Sequence, residues 1–243
     1  MSYPPPPPEQ SLPVPPAGPS AVSYTPDGRW YWDGQRWQPV VQPGPAWARP
    51  FARADTRAYA SITFLVLAAA GAGLFLLVEG LFLAYLLLPS PVFAEVAGPA
   101  YLLGQYATFA GLVSSAVAVP MWTHSAYRNL PALGATGLRW SPTWAAAGWF
   151  IPIAQLAVPL LVAHELSART SGDRPSPLLV PWWAAWLGGY VLGFVSNQLG
   201  SFAHIVVAVL SDLALVGAAV LLILVIHDTT RRQQARYREL HGA

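Results

Sequence analysis

Apolar residues in this chain come in long blocks rather than in short alternating runs. The blocks are Ala58–Leu88, Ala100–Pro120, Thr143–Ala163, Leu178–Leu199 and Phe202–Ile226. Each is near or above the roughly 20 apolar residues that carry a helix across a ~30 Å hydrocarbon core. The pattern predicts an all-α membrane helix bundle over residues 58–228. Two blocks also carry small residues at helical spacing. Gly104, Ala107, Gly111, Ser114 and Ala118 form one stripe, and Gly189, Gly193, Ser196 and Gly200 form another. Such stripes let helix backbones approach closely in lipid.

Thr143–Ala163 is the exceptional block. Its Pro152 and Pro159 are spaced to share one helix face. In a helix each would lack a donor and crowd the carbonyl one turn back, at Gly148 and Gln155. The arginines decide how this block threads, because they collect on the cytoplasmic side. Arg49, Arg53 and Arg57 precede the first block, Arg128 and Arg139 follow the second, and Arg169 and Arg174 follow the third. Arg231, Arg232, Arg236 and Arg238 sit in the tail, and the remaining two connections hold no arginine. Five crossings would divide these residues between two sides. Four crossings keep them together. The expected fold is therefore four spanning helices plus one Pro-kinked re-entrant or interfacial segment, with five spans as the alternative. Both termini then face the cytoplasm. Pro89–Pro99 is expected as a loop, and the arginine-rich tail, 229–243, as a separate short helix.

The polar flank before the bundle divides by composition. Residues 1–20 are a Pro-rich tail, expected to be a solvated polyproline II segment. Residues 42–57 are a basic linker. Between them, residues 21–41 hold two Asp-Gly pairs, strong hairpin signals, among Trp30, Tyr31, Trp32 and Trp37. A small β-hairpin-like module is expected there. Trp30, Trp32 and Trp37 are its partner-binding candidates, or else simply its core.

Composition agrees with a bilayer as solvent. The chain is 54% hydrophobic and 10% charged, where soluble domains carry about 25% charged residues. Its 13 basic residues are all arginine, and the formal charge of +2 is too small to point to nucleic acid. With no Cys, disulfides and thiolate chemistry are excluded. The five His match no ligand spacing, so neither a metal nor another cofactor is expected. No basic-then-apolar signal precedes Ala58, so the first helix is expected to double as an uncleaved targeting signal.

Glu79 and Asp212 are the acids inside the spans, joined by His204 and Gln155 as intramembrane polar candidates. An ionisable group in a span is a functional candidate by default. A cation or proton path is one reading, and helix-gluing hydrogen bonds are the other. At the cytoplasmic boundary stand Arg128, Asn129, His164 and Glu165. The expectation there is a clamp in which Arg128 pairs with Glu165. No nucleophile–base–acid constellation emerges, so an enzyme is not expected. The leading expectation is a membrane-anchored interaction, envelope-sensing or scaffold protein, with a cytoplasmic Pro/Trp-rich head that recruits a protein partner. The alternative is a small-solute or proton channel or carrier using Glu79 and Asp212. Oligomeric state is left open.

Two stretches resemble known families. Tyr31, Trp32, Asp33, Gly34 and Trp37 resemble the short Trp-rich module called domain of unknown function 2510, with Tyr24 and Thr25 where that pattern has Gly-Trp-Tyr. Trp122, Tyr127, Arg128, Asn129, Leu130, Leu133 and Gly134 are followed by Gly148, Trp149, Phe150, Pro152, Ile153, Pro159, Glu165 and Leu166. This second set resembles the multi-pass, mostly actinobacterial family called domain of unknown function 4328. The resemblance implies a multi-pass protein of a bacterial cell membrane and implies no activity.

Overall fold

The computed structural model describes Thr25 and residues 30–32, 37–39, 50–89, 91–172 and 174–242. The Pro-rich tail and most of the basic linker lie outside the described residues. The chain divides into two compact units, Met1–Ala46 and Trp47–Ala243.

In the first unit, strands β1 (Trp30–Trp32) and β2 (Trp37–Pro39) pair antiparallel. Trp30 lies opposite Pro39, Tyr31 opposite Gln38 and Trp32 opposite Trp37. Aromatic residues suit strands because their side chains pack across the pair. Thr25 accepts from the Trp30 amide through Oγ1 at 3.1 Å, tying the preceding segment to β1. The connecting turn with its Asp33-Gly34 pair is outside the described residues.

The second unit is helical: α1 (Asp55–Leu87), α2 (Pro91–Arg128), α3 (Pro142–Ala147), α4 (Val158–Ser171), α5 (Leu179–Ser196) and α6 (Ser201–His241). Four stretches are long and apolar enough to cross a membrane: Asp55–Leu86, Glu95–Arg128, Leu179–Ser196 and Phe202–His241. The protein is thus a bundle with four membrane-spanning helices. Thr143–Ala163 forms no continuous helix, so the five-span alternative falls. It breaks into α3, a turn, a short 3-10 turn at Ala154–Leu156, and the start of α4. Pro152 and Pro159 therefore share no helix face. Pro152 lies exposed in the turn. Pro159 is buried in the first turn of α4, where a missing N–H leaves no intrahelical bond unmade. Gln155 sits in the 3-10 turn, its amide bonded to the Ile151 carbonyl at 2.8 Å.

Two boundaries differ from expectation. Residues 91–99 are helical, because α2 begins at Pro91 and runs through Pro99 and Pro120. The helix ends at Arg128, and Pro131 opens a 3-10 turn that Gly134 closes with φ of 80°. The arginine-rich tail is not a separate helix, since α6 continues unbroken to His241. At 1.5 Å per residue α6 is about 60 Å long, twice a hydrocarbon core. Its second half must project beyond the lipid.

Small residues set the helix spacing. A Cβ on Gly111 would stand 2.7 Å from the Ala68 Cα, and one on Gly71 would stand 2.8 Å from the Gly104 carbonyl oxygen. These are overlaps, so α1 and α2 pack backbone against backbone. Gly189 faces Leu215 of α6, and Gly193 faces the Ser211 hydroxyl. Gly200 of the second stripe meets nothing and lies outside the interface.

Candidate functional site

The densest polar construction lies where α2 ends and α6 leaves the apolar region. Tyr127 is on the last turn of α2 and is fully buried. Its hydroxyl donates to Glu165 Oε2 at 2.7 Å and accepts from the Trp140 amide at 3.1 Å. The other Glu165 oxygen accepts from the Arg139 amide at 3.0 Å. Glu165 therefore holds α2, the 139–140 segment and α4 together. The expected Arg128–Glu165 pair is not among the contacts of the described residues; Glu165 is clamped by Tyr127 instead. The reason is helical: neighbouring residues point about 100° apart, so 127 and 128 cannot both face α4. Arg128 Nε is buried without a hydrogen-bond partner. His164 is exposed and takes no part in the hydrogen bonds of Glu165.

Asn129 grips the chain entering α1. Its Oδ1 accepts from the Ala52 amide at 3.1 Å, and its Nδ2 donates to the Ala52 carbonyl at 2.8 Å. The side-chain amide imitates a strand partner, satisfying both backbone groups of one residue. Phe51 beside it stacks on Tyr237, centroids 4.3 Å apart. Asp55 receives Gln234, and Arg57 donates to Ser125 Oγ.

The projecting half of α6 closes the construction. Gln233 is buried and donates to the Ala126 carbonyl at 2.9 Å. Trp122 donates through Nε1 to Thr230 at 3.0 Å. Arg236 donates to the carbonyls of Arg169 and Thr170 at 3.0 and 3.2 Å, capping the end of α4. Sequence reasoning assigned no contact to Gln233, Thr230 or Arg236, because it treated the tail as a separate short helix. One signal was available. Ile226, Thr230, Gln233 and Tyr237 recur at three- and four-residue spacing, so the inward face of α6 runs on past the apolar block.

The intramembrane candidates converge in part. Glu79 of α1 lies close enough to Asp212 and His204 of α6 for both to act on its charge. Glu79 Oε2 is buried with no hydrogen-bond partner. His204 Nδ1 lies 2.9 Å from the Ser196 carbonyl oxygen, joining the start of α6 to the end of α5. Gln155 is on the 3-10 turn and is not among the groups acting on Glu79. Among the described residues, no group of three His, Cys, Asp or Glu could hold a metal ion. Trp30 and Trp32 are half-buried on β1, and Trp37 stands opposite Trp32.

The arrangement holds backbones and helix ends together. No curated protein and no solved structure matches the chain. One family model, described as Domain of unknown function (DUF4328), matches residues 87–231. That range takes in the Tyr127–Glu165 clamp, the interrupted 143–163 segment and the start of the projecting half of α6. Covering more than half of the sequence, the match shows that the chain belongs to the DUF4328 family.

Proposed function

We propose that this is a non-enzymatic, membrane-anchored interaction protein of the bacterial cell membrane. Its bundle holds a Pro- and Trp-rich N-terminal head at the cytoplasmic surface, where the head recruits a protein partner. The observation that carries this reading is the two-bonded grip of Asn129 on Ala52. The arginine distribution supports cytoplasmic termini. The Tyr31–Trp37 pattern supports a head similar to the domain of unknown function 2510 module. The test is a crosslinking pull-down with the full chain and with Met1–Pro45 deleted, both inserted in membranes at equal level. Loss of specific partners on deletion is expected. Recovery of the same partners without the head refutes the reading, and so does a C-terminal tag accessible only from outside.

One observation favours a second reading, a small-solute or proton carrier. Glu79 Oε2 is buried without a hydrogen-bond partner, and Asp212 and His204 both act on the Glu79 charge. Ion flux into liposomes that disappears in Glu79→Gln would establish it. Unchanged physiology with both acids replaced by amides would leave them a structural role.

A further inference from the structure

Two adjoining cavities open beside Arg57. One, of about 520 Å³, lies between α2 and the α3 segment. The other, of about 420 Å³, lies between α1 and α2. Arg57, Val117 and Met121 line both, so they form one trough along α2. Its walls run from Val113 to His124, a helical rise of about 16 Å. That is close to half of a ~30 Å hydrocarbon core, the depth of one leaflet. The polar groups gather at one end. Arg57 is exposed there, and His124 lines the trough beside it. Arg57 and Arg128 both lie close enough to act on His124. No carboxylate of the described residues pairs with Arg57 or Arg128. Towards Val113 the lining is Phe64, Val117 and other apolar side chains, with Ser114 alone polar.

We propose that this trough is a binding site for an anionic phospholipid of the adjacent leaflet. The phosphate sits at Arg57 and His124, and one acyl chain follows α2 towards Val113. The charge pattern fits no other occupant as well. A cationic end, a greasy wall and a one-leaflet length match an anionic amphiphile, whereas a peptide in the bilayer would need its backbone satisfied. Arginine is also the side chain best shaped for phosphate.

The test uses the full chain purified in neutral detergent. Thermal unfolding is followed while phosphatidylglycerol, phosphatidylcholine or inorganic phosphate is added. Phosphatidylglycerol is expected to raise the melting temperature at about tenfold lower concentration than phosphatidylcholine. Inorganic phosphate is expected to have no effect at matched concentration. Arg57→Gln, which keeps a donor for Ser125, and Val117→Trp, which fills the trough, should each abolish the preference. Equal response to both lipids, a full response to phosphate alone, or an unchanged preference in both variants overturns the site. A photoactivatable phosphatidylglycerol read by peptide mapping settles the case should the variants misfold. Labels within residues 113–124 support the site, and labels spread over the other helices refute it.

Discussion

Removing one oxygen atom from Tyr127 should loosen the whole polar end of the bundle. In Tyr127→Phe the ring still fills its fully buried place. Only the hydroxyl goes, and with it the 2.7 Å bond to Glu165 and the 3.1 Å bond from the Trp140 amide. A hydrogen bond to a charged group contributes about 1.5–3 kcal/mol, and a neutral one about 0.5–1.5. Glu165 is half-exposed and keeps the Arg139 amide, so water recovers part of the first. The net loss should be about 2 kcal/mol, or a melting point lower by roughly 4–8 °C for a unit of this size. Arg128→Gln is the control. Its buried Nε makes no bond, so its removal breaks none and should not lower the melting point. Thermal unfolding in detergent, read by tryptophan fluorescence, measures both. A double-mutant cycle of Tyr127→Phe with Glu165→Gln should show coupling of about 1 kcal/mol or more. If Tyr127→Phe melts with the native protein, or if Arg128→Gln melts as early as Tyr127→Phe, the clamp has been assigned to the wrong side chain.

Three further outcomes follow from the packing. Gly111→Ala forces a methyl group against the Ala68 backbone, while Gly73→Ala meets open space. Both gain about 0.5–1 kcal/mol of helix propensity, but only the first adds an overlap of about 1–3 kcal/mol, so Gly111→Ala should be the less stable by roughly that difference in a detergent melt. Asn129→Ala frees the Ala52 backbone, and trypsin should cut after Arg53 about tenfold faster or more; an unchanged rate would mean the grip holds nothing. Gln233→Leu leaves the Ala126 carbonyl unpaired, costing about 1–3 kcal/mol, and hydrogen exchange along residues 229–241 should rise.

Much of this architecture was legible in the residues. Block length and the arginine count led to four spans, because both respond to the bilayer and little else. The small-residue stripes were legible in part: Gly104 and Gly111 of the first lie against α1, but Gly71, which faces them, was in neither stripe, and Gly200 of the second lies outside the interface. Proline misled. Pro99 reads as a helix stop, yet α2 passes through it, as membrane helices tolerate proline where neighbouring groups take up the freed carbonyl. The clamp was half legible. Glu165 was found by its place at the cytoplasmic boundary, but charge was matched to charge. The register of α2 turns Tyr127 inward instead, which a list of charges does not reveal.

The buried polar groups of the bundle fall into two classes, and the division bears on function. Those of Tyr127, Asn129 and Gln233 meet partners, and their work is structural. Glu79 Oε2, Thr108 Oγ1, Arg128 Nε, Trp140 Nε1 and Trp149 Nε1 are buried among the described residues and meet none. Evolved structures seldom leave such atoms open, since each costs about 1–3 kcal/mol. Two of them bear on the candidate sites. Arg128 acts on His124, which with Arg57 heads the apolar trough. Asp212 and His204 act on the Glu79 charge. The same bundle thus has a fastened polar end and also open polar groups, among them Arg128 Nε near the head of the trough and Glu79 Oε2 on α1. A molecule that only anchored its head would need the fastening alone. The unsatisfied groups are the reason to look for a bound anionic lipid at one of these places and a moving proton at the other.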